Sequence, residues 1–126
     1  MRPFSILYVE DNDDLRESIG MLLEGDGRDV VTRPDGELAL QVIAEREFDV
    51  LITDVSLPGM SGTDLARQVL KKDPRRWVVL CSGYEFRQGL DRLGPNVRAL
   101  SKPFEPDELE ALLNEIIASV RAASAD

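Results

Sequence analysis

The sequence predicts a doubly wound α/β domain, a three-layer sandwich in which five helices cover both faces of a five-stranded parallel sheet. Short apolar segments alternate with amphipathic segments along the chain, which is the pattern of repeated strand and helix units. Some apolar segments, such as Val50-Leu51-Ile52, are continuous, as in strands buried on both faces. With 126 residues and 43% hydrophobic content, the chain can bury one core. We expect one domain over residues 1–121 and a frayed tail over residues 122–126.

The first half of the chain supplies three strands and two helices. The strands are expected at residues 5–9, 30–32 and 50–54. Asn12 can cap the first helix, because its side chain can accept a hydrogen bond from a free backbone N–H. The apolar positions of the two helices share one face in each case: Leu15, Ile19, Leu22 and Leu23 in the first, and Ala39, Val42 and Ile43 in the second.

The second half supplies two strands, at residues 77–81 and 97–100, and three helices. Ser61 and Asp64 resemble a capping box in front of the third helix. The fourth helix, through Phe86 and Leu90, is interrupted by glycine and is expected to be short. The last helix begins near Pro106 and carries its apolar residues at helical spacing: Leu109, Leu112, Leu113, Ile116, Ile117 and Val120.

Composition excludes several classes of function. The chain has 15 basic and 24 acidic residues, and its net charge of −9 disfavours direct binding to nucleic acid or anionic lipid. No apolar stretch reaches the length of a membrane helix. Histidine is absent, which removes histidine-based catalysis and histidine metal ligands. The single cysteine, Cys81, lies in an apolar strand and is interpreted as a core residue. We expect a cytoplasmic domain.

Reactive side chains stand at the carboxyl ends of four predicted strands: Glu10 and Asp11, Asp54, Ser82, and Lys102. Ligands bind at this edge of an open parallel sheet, so these groups are expected to lie together. Clustered carboxylates repel one another and favour an oxygen-preferring divalent cation, and Mg²⁺ fits best. The set suits transfer of a phosphoryl group to a carboxylate. The alternative is that each residue is an ordinary feature of a strand end.

Four segments resemble the receiver domain of two-component response regulators, in the family's order: residues 8–12 (YVEDN), 53–60 (TDVSLPGM), 81–84 (CSGY) and 101–104 (SKPF). Each motif alone is weak, and the four together are specific. The resemblance covers essentially the whole chain. It implies the CheY-like, flavodoxin-like fold with strand order 2-1-3-4-5.

The resemblance also implies roles for individual residues. Asp54 would accept a phosphoryl group from phosphohistidine on a histidine kinase or a histidine phosphotransfer domain. The implied Mg²⁺ ligands are Glu10, Asp11, Asp54 and the backbone carbonyl of Ser56. Lys102 and Ser82 would contact the phosphoryl group, and Pro103 matches a cis-proline position. Ser56 and Tyr84 match positions that tune dephosphorylation. The domain would catalyse only its own phosphorylation and dephosphorylation, and its further partners would be an unidentified effector and a weakly associated second copy.

Two departures from the family pattern stand out. Ala99 occupies the position of an aromatic that normally changes rotamer, so the usual relay from Ser82 is not available. We therefore expect the fourth helix to carry the signal. The glycine-rich stretch of residues 83–96 resembles receivers attached to hybrid histidine kinases, and a stand-alone receiver is the other option.

Three other functions are alternatives to a receiver domain. A Mg²⁺-dependent phosphohydrolase with an aspartyl-phosphate intermediate commonly has a second acid where this chain has Ser56. A phosphorylation-independent interaction module would not need to keep Asp54, Ser82 and Lys102. A flavodoxin-like cofactor domain would need a phosphate-binding loop after the first strand, where this chain has acids.

Overall fold

The computed structural model describes residues 3–25, 27–83 and 90–124. Its strands are β1 (Phe4–Val9), β2 (Arg28–Arg33), β3 (Val50–Asp54), β4 (Trp77–Ser82) and β5 (Val97–Ser101). Its helices are α1 (Asp13–Leu23), α2 (Gly36–Glu45), α3 (Gly62–Lys72), α4 (Leu90–Leu93) and α5 (Pro106–Ser124). Every predicted strand is present: β3 has the expected bounds, β1, β4 and β5 are one residue longer, and β2 is three residues longer.

The predicted number of five helices needs a correction, although the fourth was expected to be short. Among the described residues, four helices have ten or more residues, whereas α4 is a single turn of four residues. The expected position Phe86 lies outside the described residues. Helix α5 continues to Ser124, past the boundary expected at residue 121, and that boundary stays a prediction.

The five strands form one sheet in the order β2-β1-β3-β4-β5, and every pairing is parallel. The predicted fold class and strand order are therefore confirmed. β1 is buried along its whole length, as its position between β2 and β3 requires. Parallel pairing places the carboxyl ends of all five strands at one edge, which is where the predicted reactive residues follow the strands.

Two apolar cores lie on opposite faces of the sheet because alternate strand residues point to opposite sides. One contains Tyr8, Ile52 and Cys81 with residues of α1 and α5, and the other contains Leu7, Leu51 and Leu80 with residues of α2 and α3. The predicted face of α1 needs one correction. Leu22 is 45% exposed, and the buried positions are Ile19, Gly20 and Leu23.

Side-chain caps fix where three helices begin. Asn12, Asp35 and Ser61 each accept a hydrogen bond from the backbone N–H three residues later, at 3.0, 2.8 and 3.1 Å. These helix starts stand next to the carboxyl ends of β1, β2 and β3, so the caps also fix the loops at that edge. Within the described part of the chain, no helix combines the length and apolarity that crossing a bilayer requires.

Candidate functional site

Three carboxylates meet at the carboxyl edge of the sheet. One side-chain oxygen from each of Glu10, Asp11 and Asp54 can be chosen so that all three lie within 4.8 Å of one another. β1 delivers Glu10 and Asp11, and the neighbouring β3 delivers Asp54. Their surroundings differ: Glu10 is buried, Asp54 is half-buried and Asp11 is exposed. The carboxylates therefore form a shallow acidic cup whose outer rim is open to solvent.

Lys102 supplies the positive charge of the cup. Its Nζ donates to Glu10 Oε1 at 2.7 Å and lies 3.2 Å from Asp54 Oδ2. Burial lowers the pKa of Lys102, but the hydrogen bonds to Glu10 and Asp54 outweigh it and raise the pKa above its usual value. The ammonium is thus held protonated between two acids. It balances one of three carboxylates, and the remaining negative charge suits a divalent cation with oxygen ligands.

Glu10 is held in place from both its side chain and its backbone. Its Oε2 accepts a hydrogen bond from the backbone N–H of Asn12 at 3.1 Å. The Arg16 guanidinium donates to the Glu10 carbonyl at 2.9 Å and also pairs with Asp13 at 2.7 Å. Sequence reasoning missed Arg16. The available signal was its place one turn into α1, six residues after Glu10.

The backbone around Asp54 is packed against the start of α3. The Thr53 hydroxyl donates to the Asp54 carbonyl at 3.0 Å, and the Gly62 N–H donates to the Val55 carbonyl at 2.8 Å. A Cβ added at Gly62 would lie only 1.8 Å from the Asp54 carbonyl oxygen. Sequence reasoning missed Gly62 as well. Its signal was a glycine at the first helical position, directly after the N-cap Ser61.

Two buried side chains near Asp54 are kept neutral. Burial, reinforced by Glu10, raises the pKa of Tyr8. Burial likewise raises the pKa of the Cys81 thiol to about 12. Cys81 is 1% exposed, which confirms its interpretation as a core residue. A protonated thiol is a poor nucleophile, so Cys81 is not a candidate nucleophile of this site.

The other predicted residues differ in how far they are exposed to solvent. Ser82 is 7% exposed at the end of β4, and its carbonyl accepts from the Lys102 N–H at 2.7 Å. Ser56 is exposed in the loop after β3, and Ala99 is half-buried in β5. The Lys102–Pro103 peptide bond is cis. Tyr84 lies outside the described residues.

The family follows from comparison with known proteins. Residues 6–114 match the family model described as the response regulator receiver domain. The chain is a receiver domain of the response regulator family. Its function is therefore that of this family, phosphorylation-based signalling in two-component systems, and the comparisons do not favour the phosphohydrolase or the interaction module considered above.

Two relatives differ in how much of their length the receiver domain covers. It is 34% identical over 113 residues to the response regulator receiver protein CpdR of Brucella abortus, covering 88% of this chain and 92% of that protein. It is also 34% identical over 110 residues to the DNA-binding response regulator MtrA of Mycolicibacterium smegmatis, covering 84% of this chain. The chain spans about half of MtrA, 47% of its length, so the DNA binding named for MtrA is not carried over.

A solved structure resembles the receiver domain closely. It is the response regulator TrrA of Thermotoga maritima in complex with Mg²⁺ and BeF, at a TM-score of 0.79 and 28% identity. The match covers 92% of this chain and 99% of that one. The likeness confirms the fold over nearly the whole chain.

Proposed function

We propose that Asp54 is the residue that accepts the phosphoryl group. The observation that supports this assignment is the position of its carboxylate, half-buried at the end of the central strand β3, with Lys102 3.2 Å away and two further acids beside it. An Oδ of Asp54 would attack the phosphorus of a phosphohistidine on a histidine kinase or phosphotransfer domain. The P–N bond would break, and the imidazole would leave with its electron pair and take up a proton.

We propose that the acidic cup binds Mg²⁺, the ion present in the TrrA complex. The donor set fits, because Mg²⁺ prefers a few carboxylate oxygens together with water and phosphate oxygens. Asp11, Asp54 and the Ser56 carbonyl would hold the ion, with Glu10 acting through water. The ion would supply positive charge beside the phosphoryl oxygens during transfer.

Lys102 and Ser82 are proposed to receive the new charge. A phosphoryl group on Asp54 would carry nearly two negative charges in place of the single charge of its carboxylate, and it would lie beside the carboxylates of Glu10 and Asp11. Lys102 would shift its hydrogen bond from Glu10 toward a phosphoryl oxygen, and the Ser82 hydroxyl would donate to another. Ser82 ends β4 and Lys102 directly follows β5, so their movement would displace the loops that follow these strands. Ser56 and Tyr84 would tune how quickly water removes the phosphoryl group.

The signal is proposed to travel through the segment between β4 and β5, because Ala99 has no side-chain rotamer to change. Hydrogen exchange over residues 83–96 should slow when Mg²⁺ and beryllium fluoride are added. Unchanged exchange there would refute this route and leave the acceptor assignment intact. The cytoplasmic location, the kinase, the effector, weak self-association, the alternative of a hybrid-kinase origin and the domain boundary at residue 121 stay predictions.

Intact mass after incubation with Mg²⁺ and acetyl phosphate tests the acceptor. The wild-type protein should gain one phosphoryl group that is lost in alkali, and Asp54→Asn should gain none. Asp64→Asn is the matched control, since Asp64 is an exposed carboxylate on α3 and its loss should leave labelling unchanged. Labelling of Asp54→Asn at the wild-type level would refute the assignment.

A further inference from the structure

The end of the sheet opposite Asp54 carries a dense basic segment. Residues 71–77 read Lys-Lys-Asp-Pro-Arg-Arg-Trp, in a chain whose net charge is −9. The segment ends α3 and leads into β4, so it lies at the amino end of the strands. Part of this charge complements the carboxyl end of α3, where a helix favours cations. That role accounts for Lys71 and Lys72. Of the two arginines after Pro74, Arg76 pairs with Asp73 and donates to the Phe48 carbonyl, whereas no such contact with the described residues explains Arg75.

A cleft of about 550 Å³ opens beside these arginines. Three guanidinium groups line it, from Arg75 and Arg76 before β4 and from Arg98 in β5. The half-buried ring of Trp77 contributes an aromatic wall, and α5 closes the far side. The volume lies in the range of sites for small molecules.

Two of the three guanidinium groups keep donors available. The Arg75 side chain is exposed and makes no ion pair or hydrogen bond with residues 3–25, 27–83 or 90–124. Arg98 Nη1 reaches only backbone carbonyls, of Val97 at 3.2 Å and of Pro95 at 3.4 Å. Its guanidinium stacks over the Trp77 ring at 4.9 Å, which holds the plane of the donors in a fixed orientation.

The two acids of the cleft are already engaged. Asp73 lies 3.2 Å from Arg76 Nη2 and accepts a hydrogen bond from the Arg75 backbone N–H at 3.1 Å. Asp49 is 7% exposed and accepts from the backbone N–H and the hydroxyl of Ser5, at 2.8 and 3.3 Å. Hydrogen bonds from Ser5 leave the negative charge of Asp49 in place, so three arginines against two acids give the cleft a net charge of +1. The donors that stay available belong to Arg75 and Arg98.

We propose that this cleft binds a small anion that carries two or more phosphate groups. Guanidinium groups match phosphate oxygens in pairs, and two of them with available donors call for more than one phosphate. A long polyanion is disfavoured because the rest of the molecule would repel it. A flat ring attached to the phosphates could also contact the cleft wall at Trp77. Short inorganic polyphosphates such as tripolyphosphate share this phosphate chemistry with nucleotides. The cleft is separate from the acidic cup, and anion binding there does not depend on the cup.

Tryptophan fluorescence can test the site directly because Trp77 is the chain's only tryptophan. The protein is titrated with tripolyphosphate and, separately, with ATP, in EDTA and at constant ionic strength. Saturable changes with both indicate that the phosphate chain suffices, and tighter binding of ATP adds a contribution from the ring. Sulfate at the same ionic strength should give no saturable change. No saturation with either phosphate compound, or equal saturation with sulfate, would overturn the proposal.

Charge-matched variants separate the cleft from general electrostatics. Arg75→Gln should weaken tripolyphosphate binding about tenfold, the size expected for losing hydrogen bonds between charged groups. Arg67→Gln removes the same charge from α3 at a side chain that is 62% exposed and pairs with Asp64 instead of lining the cleft. This control should bind as the wild type does. Equal affinity of Arg75→Gln and the wild type, or equal losses in both variants, would contradict the assignment.

Discussion

Gly62 should be the most sensitive glycine of the described chain to replacement by alanine. The new Cβ would lie 1.8 Å from the Asp54 carbonyl oxygen, 2.8 Å from its carbon and 3.0 Å from the Val55 Cα. An ordinary contact between carbon and oxygen is about 3.3 Å, so more than 1 Å must be relieved by backbone movement. Alanine favours helices over glycine by at most about 1 kcal/mol, which cannot offset this overlap.

We expect Gly62→Ala to lower the free energy of unfolding by about 3 kcal/mol, the upper range for overpacking, because the obstructing atoms are backbone. Urea denaturation followed by circular dichroism measures this change. Gly25→Ala is the control, since its nearest neighbours are atoms of the flexible Arg28 side chain at 3.6 Å and beyond. It should stay within about 0.5 kcal/mol of the wild type.

The same overlap should displace the Asp54 peptide and slow phosphorylation by acetyl phosphate in the fraction of Gly62→Ala that remains folded. A Gly62→Ala protein as stable as the Gly25→Ala control would show that the start of α3 does not press on β3, and the reasoning would fail.

Three further perturbations have defined outcomes. Lys102→Met should destabilise the protein by about 2 kcal/mol in EDTA, because it leaves Glu10 buried beside Asp54 without its cation; the partial exposure of Lys102 reduces the loss below that of a fully buried pair. Mg²⁺ should recover part of that stability, and equal urea midpoints for wild type and variant in EDTA would contradict it. Cys81 should resist thiol reagents at pH 8 in the native state and react after unfolding. The folded pKa of Cys81, about 12, lies above its unfolded value. The thiol's stabilising contribution should therefore be complete below about pH 8.5 and disappear as the pH rises toward 12. Cys81→Ala should reduce this fall of the free energy of unfolding with pH. Asp49→Ala should cost about 2 kcal/mol, since the buried Ser5 N–H loses its acceptor; a midpoint unchanged from wild type would rule this out.

Local patterns were enough to predict the sheet. Continuous apolar runs such as residues 50–52 identify strands covered on both faces, and polar caps such as Asn12 identify where helices begin, because both signals are contained in a few neighbouring residues. The α4 region could be predicted only as a weak and short helix. Its glycines remove the periodic signal, and only packing against distant elements can decide how many turns form.

The candidate site was also predicted only in part from the sequence. The acids and Lys102 could be placed together from the sequence because parallel topology brings all strand ends to one edge. The sequence could not indicate that Lys102 would lie closer to Glu10 than to Asp54, since that depends on side-chain geometry across 92 residues of chain. Arg16 and Gly62 were missed because their roles consist of contacts with backbone atoms, which no pattern of side-chain types records.

The strand order has a consequence for how the polypeptide could fold as it leaves the ribosome. β2 pairs with one side of β1, β3 then adds to the other side, β4 adds to β3 and β5 adds to β4. No later strand has to be inserted between two that are already paired. During synthesis each new strand can therefore pair with an exposed edge strand, and the nascent chain never needs to break hydrogen bonds that it has made.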